Sequence, residues 1–347
     1  MLCRLCCPHL LKSLIWYIFI LLFLSPGQIV WADNLNIGKG PIHFSSQAPF
    51  QSFHLPVFPV SPSNLVSGQT EVLFTHTWSN IWAIEHEAYV FDYEVFSLGL
   101  GGIHQISPKI SILGGLRTMY ILGGVMDGYI EEFHDLINNS TMYRDKYPRD
   151  RVYTCIKYNN VFYEKEYHKG FFAHNSAYCG LQYDYTKGGL FLPAIATGAL
   201  VRFPLPGKTF GHTDDKLDYN VYLTLSKWIK PLYICSHLSY TYYGNTDIIK
   251  GIEEIDLKRH HWSFLLAGEL PLNKNISAII QGLYNSPNIS HYYEFAKPMY
   301  EIAGGVNLTW KNRFKHKNFL EFSVIENLFH YNNSPDFGIH LGIGTVF

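Results

Sequence analysis

The chain has 347 residues, a formal net charge of −1, and 16% charged and 16% aromatic residues. Such a balanced charge gives no strongly basic surface, so we expect no nucleic acid among its partners. Soluble domains usually have about 25% charged residues, yet no apolar run beyond residue 32 approaches the roughly 20 residues of a membrane helix. A membrane β-barrel combines these properties, because its strands alternate apolar and polar side chains.

The first 32 residues have the three parts of a secretory signal peptide. Arg4 and Lys12 make the beginning basic, an apolar run follows from Ser13 to Leu24, and Val30-Trp31-Ala32 has the small-x-small pattern of a cleavage site. The apolar run is shorter than a membrane-spanning helix requires. We therefore predict export and cleavage near Ala32, with an uncleaved anchor as the alternative.

Alternation with a period of two dominates the chain after residue 68, while residues 33–68 form an extended segment in the periplasm or inside the barrel. In Asp215–Lys227 (DKLDYNVYLTLSK), Leu217, Val221 and Leu225 share one face, and polar residues dominate the other. Strands this long exceed the five or six residues usual in soluble sheets and suit a tilted membrane strand of about 9–11 residues. Twelve are predicted, at 69–79, 87–105, 109–121, 173–185, 190–203, 215–227, 231–243, 257–270, 275–285, 298–310, 318–329 and 335–347.

These strands predict an all-β fold, a transmembrane antiparallel up-and-down β-barrel of about 12 strands over residues 69–347. An even number returns the chain to its starting side, and short connections alternate with longer ones, as in outer-membrane barrels. Residues 151–158 and 161–167 predict a further hairpin beyond the membrane, which would make 14 strands if it joined the barrel. The expected location is the outer membrane of a Gram-negative bacterium, with outer-membrane lipid and periplasmic chaperones as partners.

One segment departs from the period of two. Asp127–Asn138 (DGYIEEFHDLIN) has apolar residues at helical spacing and an acid at its start, which predicts a short helix within the loop 122–150. The polar, basic stretch YRDKYPRDR follows, from Tyr143 to Arg151. We expect this loop on the extracellular side or folded into the mouth of the barrel.

The sequence GVMDGYIEEFHDLI and the YRDKYPRDR that follows resemble the central signature of the DUF3187 family of outer-membrane proteins. Gly40–Pro59 (GPIHFSSQAPFQSFHLPVFP) is similar to the N-terminal stretch of that family, and Arg202–Gly207 (RFPLPG) to one of its later strand ends. The resemblance covers most of the chain after the signal peptide. It implies a membrane barrel of the Gram-negative type, with no established activity and no catalytic residue to carry over.

The candidate functional residues are those that alternation directs into the lumen and those of the polar loop. Charges near the mouth of a barrel set its selectivity, so we predict that these side chains line or gate a pore; a salt-bridged brace is the alternative for the loop. The predicted function is a channel or transporter for a small solute or lipid. The candidates are Arg117, Glu131, His134, Asp135, Arg144, Arg149, Arg151, Lys216, Asp218, His237, Arg259, Glu301 and Glu321.

Two other functions stay open, a structural or adhesin barrel without transport and a hydrolase at the barrel rim. His237 with Ser239, or His261 with Ser263, share one face of a strand, which suits a base and a nucleophile. No GxSxG signature surrounds either serine, so we assign no catalytic residue. Beyond residue 32 no HExxH or CxxC occurs, and we predict no metal and no cofactor.

The chain ends on an alternating strand, FGIHLGIGTVF. Its apolar face is expected to meet lipid, while the glycines and His340 face the lumen. A terminal aromatic residue on such a strand resembles the signal that the barrel-assembly machinery recognises, and this machinery is a predicted partner. Thr345 departs from that pattern, because it lies where a bulky apolar residue is usual. The predicted assembly signal comprises Phe337, Ile339, Leu341, Ile343 and Phe347.

Overall fold

The computed structural model describes residues 39–347, apart from 56, 63–64, 86, 137–143, 159–160, 190, 207–215, 245, 247–254, 256, 315 and 330–332. The predicted signal peptide and its cleavage site lie outside the described residues. Within the described part of the chain, no helix is long and apolar enough to cross a bilayer. The described residues form one α-helix, α1 (Met126–Leu136), three short 3-10 helices and fourteen strands.

Twelve of these strands close into an antiparallel barrel, which confirms the predicted fold. Closure follows from the first barrel strand, which pairs with the second strand on one side and with the last strand on the other. At this seam Thr70 and Phe347 exchange two backbone hydrogen bonds, of 2.9 and 3.0 Å. The strands are β1 (Thr70–Glu85), β2 (Tyr89–Ser107), β3 (Ile110–Leu122), β4 (Val152–Tyr158), β5 (Val161–Tyr167), β6 (Phe171–Lys187), β7 (Ala194–Leu205), β8 (Asp218–Ile229), β9 (Leu232–Tyr242), β10 (His260–Pro271), β11 (Ile276–Asn285), β12 (Met299–Lys311), β13 (Lys317–Asn327) and β14 (Phe337–Val346).

The other two strands, β4 and β5, form a hairpin beside the barrel wall. β2 is 19 residues long, and its residues 89–93 extend past the last pair that it makes with β3. In this extension residues 89–92 pair with β4, and β4 pairs with β5. The predicted hairpin therefore exists as a separate extension of the sheet, and the closed barrel keeps twelve strands.

The two ends of the barrel carry different connections. The end where Thr70 meets Phe347 also carries the short connections 108–109, 188–193, 230–231, 272–275 and 312–316, and we call it the turn end. The opposite end, which we call the loop end, carries the short connection between β1 and β2 and the longer connections 123–170, 206–217, 243–259, 286–298 and 328–336. This is the predicted alternation of short and long connections.

The two faces of the barrel wall differ in polarity. In β8, Tyr219, Val221 and Leu223 point outward and are exposed, whereas Asp218 and Asn220 point inward and are buried. The same alternation holds in β14, as the sequence predicts. Large apolar side chains thus surround the outside, and polar side chains line an interior where they are nonetheless buried.

The interior is filled by the chain that precedes β1. We call residues 39–69 the N-terminal segment. It enters at the turn end, reaches the loop end at a 3-10 helix (Gln51–Phe53), and returns to the turn end before β1 begins. Of the two locations considered for residues 33–68, the described part occupies the interior.

Candidate functional site

The entering half of the N-terminal segment is held through its backbone by inward-pointing side chains. Lys39 N–H donates to Glu269 Oε2 at 2.7 Å, near the turn end. Further in, the Gln281 side chain accepts from Ile42 N–H at 2.9 Å and donates to Ile42 C=O at 3.2 Å. A neighbouring β-strand would make the same pair of hydrogen bonds with the Ile42 backbone. The Gln281 side chain therefore takes the place of such a strand inside the lumen.

Two carboxylates hold the middle of this half. Glu321 accepts from His43 twice, from its backbone N–H at 3.1 Å and from its ring Nδ1 at 2.7 Å. His340 Nε2 lies 3.6 Å from the same carboxylate. Nearer the loop end, Ser46 Oγ–H donates to Glu301 Oε1 at 3.2 Å. Polar wall residues that would otherwise face water are therefore satisfied by the segment.

At the loop end the segment turns within a cluster of aromatic rings. Phe50 packs edge-on against Phe295 and Phe91, with ring centroids 4.9 and 5.6 Å away. Tyr292 joins this cluster and donates from its hydroxyl to the Ala88 carbonyl at 2.9 Å. Burial of several aromatic side chains is a large apolar contribution, so this cluster anchors the turn of the segment at the loop end.

The returning half is anchored at Asp218. Its carboxylate accepts from Leu55 N–H at 2.9 Å, from Arg202 Nε at 2.7 Å and from Gly244 N–H at 3.1 Å. His54 Nδ1 lies 3.3 Å away. A fully buried carboxylate with this many donors satisfies the condition for burying a charge, namely pairing and hydrogen bonding together.

Two further bonds guide the segment back to the turn end. Thr224 Oγ1–H donates to the Val60 carbonyl at 2.9 Å. Lys187 Nζ donates to the Leu65 carbonyl at 3.0 Å. The wall therefore contacts the segment at successive levels along both halves, and the segment is a packed plug rather than a loose tail.

The part of the barrel interior that the plug does not fill lies along β1, β2 and β14. One cavity of about 70 Å³ is bordered by both halves of the segment and by the wall of β1, β2 and β3. A vestibule of about 490 Å³ opens at the turn end, between the segment and β12–β14. Both spaces are bordered by His43 and Glu71, so the two side chains separate cavity from vestibule.

The exposure of the side chain shows where seven of the candidate lumen or gating residues lie. Five point inward and are between 0 and 8% exposed, namely Arg117, Asp218, His237, Glu301 and Glu321. The other two, Lys216 and Arg259, are exposed at the loop end. Lys216 precedes β8 and Arg259 precedes β10, where the alternation of the wall does not yet apply, so burial does not place either side chain in the lumen.

The described part of the polar loop packs on the outside of the wall, at the loop end. Asn80, Trp82 and Glu94 alternate with inward residues and point away from the plug. Arg144 donates to Asn80 Oδ1 at 2.9 Å and packs 4.9 Å from the Trp82 ring centre. The Glu94 carboxylate accepts from Met126 N–H, at the start of α1, at 2.5 Å. Because β1 and β2 extend past their neighbours, they offer an outer face on which this loop packs.

Ion pairs secure this outer loop. Arg144 pairs with Asp127 and, at 3.0 Å, with Asp336. Arg151 pairs with Asp92 at 2.7 Å. Among the remaining predicted residues, Arg149 pairs with Glu131, and His134 and Asp135 lie in α1 with side chains outside the described part. The arrangement matches the salt-bridged brace that the sequence left as an alternative.

In one serine–histidine combination both residues are hydrogen-bonded to other groups, whereas in the other the Ser239 hydroxyl is buried without a hydrogen-bond partner among the described residues. Ser263 Oγ–H donates to Asn285 Oδ1, at 2.5 Å, and His261 Nε2 lies 2.6 Å from the Lys258 carbonyl. His237 is 2% exposed and stacks on the Tyr222 ring at 4.9 Å. In the described residues, no group of three His, Cys, Asp or Glu side chains is placed to hold a metal ion. The predicted absence of metal and cofactor stays a prediction.

Several residues that position the plug were not predicted. Glu269 and Gln281 are inward residues of alternating strands, so strand parity was the signal that could have found them. In the sequence, Arg202 stands out only as the first residue of the family motif RFPLPG. Their partners in the N-terminal segment carry no comparable signal, because the bonds go to its backbone.

The fold is similar to that of solved membrane channels. The COG4313 outer membrane channel from Pseudomonas putida F1 matches 84% of this chain and 100% of its own, with 12% identity and a TM-score of 0.51. The Ralstonia pickettii toluene transporter TbuX matches 82% of this chain and 90% of its own, with 8% identity and a TM-score of 0.36. No curated protein matches the chain significantly.

The sequence itself matches the DUF3187 family, described as proteins of unknown function, over residues 18–347. The chain therefore belongs to this family, as its central signature suggested. The family description supplies no activity.

Proposed function

We propose that this DUF3187 protein is an outer-membrane channel for small solutes and that its N-terminal segment is the plug that controls passage. The observation that carries the proposal is a closed barrel whose interior wall is bonded, level by level, to a segment that is not part of the wall. A barrel serving only as a scaffold needs no such interior contacts. A gated channel, in contrast, uses an element that blocks the lumen and can rearrange.

The outside of the barrel supports a membrane location. Exposed Val221, Leu266 and Ile343 lie on three different strands and all point outward. Apolar side chains around a closed wall are favourable in lipid and costly in water. Short turns at one end and longer loops at the other follow the layout of outer-membrane barrels, in which the short turns face the periplasm. The fold of the Pseudomonas putida channel agrees with this placement.

The passage that we propose follows β1, β2 and β14, because the cavity and the vestibule lie there. The His43–Glu321 pair lies at the segment, between the cavity and the vestibule. A small displacement of the entering half would join them, since His43 belongs to the plug and Glu321 to the wall. The cavity volume, about 70 Å³, favours small solutes over oligomers.

A reversible cross-link tests the proposal. Val60→Cys with Thr224→Cys joins the plug to the wall, at a place where Thr224 Oγ1 lies 2.9 Å from the Val60 carbonyl. Cys155, Cys179 and Cys235 are changed to alanine in the same protein, and current is recorded in planar bilayers. We expect the oxidised protein to be silent and reduction to restore current, with the Val60→Cys single variant unaffected by either treatment.

Removing part of the plug tests the same idea from the other direction. Replacement of residues 42–55 by a short Gly-Ser linker leaves β1–β14 intact and is expected to raise conductance severalfold. Heat-modifiable gel migration shows whether each variant has kept its barrel. If both the full chain and the shortened one migrate as folded barrels and neither conducts, the channel proposal is wrong.

A further inference from the structure

We propose that Arg117 forms a binding site for a small anion, of the size of a carboxylate group, within the cavity beside the plug. This inference rests on the proposed function and adds its substrate class: the channel would favour small anionic solutes. Arg117 lies in β3, points inward and is 8% exposed. It borders the cavity of about 70 Å³.

The guanidinium group of Arg117 has only neutral partners among the described residues. Its Nη1 donates to the Ser52 carbonyl at 3.1 Å, and its Nε donates to Ser97 Oγ at 3.2 Å. Its Nη2 is buried and has no hydrogen-bond partner in the described structure. A guanidinium carries five N–H donors in a planar fork that suits a carboxylate; here Nη2 is left without an acceptor in a residue that borders the cavity.

Arg202 provides the contrast. It is also an inward arginine, 1% exposed, and its Nε donates to Asp218 at 2.7 Å. That pair follows the general rule that buried charges are matched by an opposite charge. Arg117 departs from the rule, since both of its described acceptors are uncharged. An anion in the cavity would supply the missing partner.

The rest of the cavity is rich in hydroxyl groups. Ser97 accepts from Arg117 and keeps its own O–H free to donate, and the hydroxyl-bearing residues Thr75, Thr77 and Tyr178 border the same space. Gly101 makes room for the Tyr178 hydroxyl, because a Cβ there would collide with it. Of these hydroxyls, Ser97 Oγ contacts Arg117 directly and Thr77 Oγ1 lies 2.9 Å from His340 Nδ1, and hydroxyl groups beside a guanidinium can donate further hydrogen bonds to an anion.

Besides Tyr178, two other ionisable groups border the cavity, Glu71 and His43. The register of β1, β2 and β3 puts Arg117 opposite Gly99, and Gly99 opposite Thr75. Glu71 is thus four residues from the level of Arg117, about 13 Å along the strand. Its negative charge lies at the vestibule end, beside His43, and not at the Arg117 site.

Binding is tested without any need for current. The unfolding temperature of the detergent-purified full chain is measured in sodium acetate and in sodium gluconate at equal ionic strength, since gluconate is too large for this cavity. A bound ligand stabilises the folded state by mass action. We expect acetate to raise the unfolding temperature of the unchanged protein more than gluconate does, and Arg117→Gln to abolish the difference. Arg259→Gln, at the exposed loop end, is the matched control and keeps it.

Ion selectivity provides the second test. In a KCl gradient across a bilayer, the variant with the shortened plug is expected to prefer chloride over potassium, and Arg117→Gln in that background to reduce this preference roughly two- to tenfold. Arg117→Lys keeps the charge and retains most of the preference. Equal effects of acetate and gluconate, together with a current that has no anion preference, overturn the Arg117 site while leaving the channel proposal standing. The absence of current in folded barrels is a failure of the channel proposal instead.

Discussion

At the scale of single residues, the interior of this barrel is organised by side chains that bond to backbone. Gln281 serves both backbone groups of Ile42, and Glu321 takes the N–H and the ring of His43. Unmade bonds would leave buried polar groups at a cost of about 1–3 kcal/mol each. Wall side chains therefore help to fix where the plug lies by bonding to its backbone.

Neighbouring glycines in β12 provide a residue-scale prediction. A Cβ on Gly305 would collide with the Phe322 carbonyl and with Ser323 on the adjacent strand, whereas nothing lies within 4 Å of a Cβ on Gly304. We expect Gly305→Ala to lower the free energy of unfolding by about 1–3 kcal/mol and Gly304→Ala to change it little. Urea unfolding of the two purified variants, followed by tryptophan fluorescence, measures the difference. Equal midpoints would show that the wall relaxes freely at this point.

At the scale of elements, the extended ends of β1 and β2 determine what the charged loop can do. Their outer face carries Asn80, Trp82 and Asp92, and the loop with α1 packs on it through ion pairs. By composition alone, charged side chains in a loop near a barrel mouth are as compatible with a gate as with a brace. Packing on the outside makes this loop a brace, separate from the passage.

Arg144 tests this assignment. It is 3% exposed and pairs with Asp127 and Asp336, so Arg144→Gln leaves the buried Asp127 and the partly buried Asp336 without their charge partner, a change of about 3–5 kcal/mol. We expect protease to cut the loop 123–151 faster, while bilayer conductance stays unchanged. Arg149→Gln is the control, because Arg149 is 61% exposed. A change in conductance without faster cleavage would return the loop to the list of gating elements.

At the scale of the whole molecule, one seam converts a long sheet into a barrel. β14 pairs with β1 over ten residues of each strand, and Phe347 closes the ladder through its backbone. Its side chain is 53% exposed, and its ring centre lies 6.2 Å from that of His316. The backbone of the last residue therefore performs the closure, and its exposed ring leaves the predicted role in assembly recognition to be tested separately.

This division predicts a selective effect of changing the last residue. Phe347→Ala keeps both backbone bonds to Thr70, so we expect the folded barrel to retain its unfolding midpoint to within about 0.5 kcal/mol. We expect the yield of heat-modifiable protein in outer-membrane fractions to fall severalfold, because the assembly machinery loses its aromatic signal. Phe314→Ala, at an exposed aromatic residue in a turn at the same end, is the control. An unchanged yield would remove Phe347 from the assembly signal.

Sequence by itself determined the wall of this protein. Alternation is a property of each strand alone, because successive side chains of a pleated strand point to opposite faces. It was therefore enough to predict twelve strands, the outward face of β14 and the inward direction of Arg117, Asp218 and Glu321. The central helix was likewise visible from local spacing.

Only the tertiary structure decided what fills the interior of the barrel and what packs on the outside of its wall. Ile42 meets Gln281 across 239 residues of chain, and Leu55 meets Asp218 across 163. Such contacts depend on closure of the whole barrel, and the N-terminal segment has no period that announces them. The position of Arg144 on the outer face likewise depended on how far β1 and β2 extend past their neighbours. Local periodicity specifies the two faces of a strand, whereas long-range packing determines which segment of the chain packs against each face.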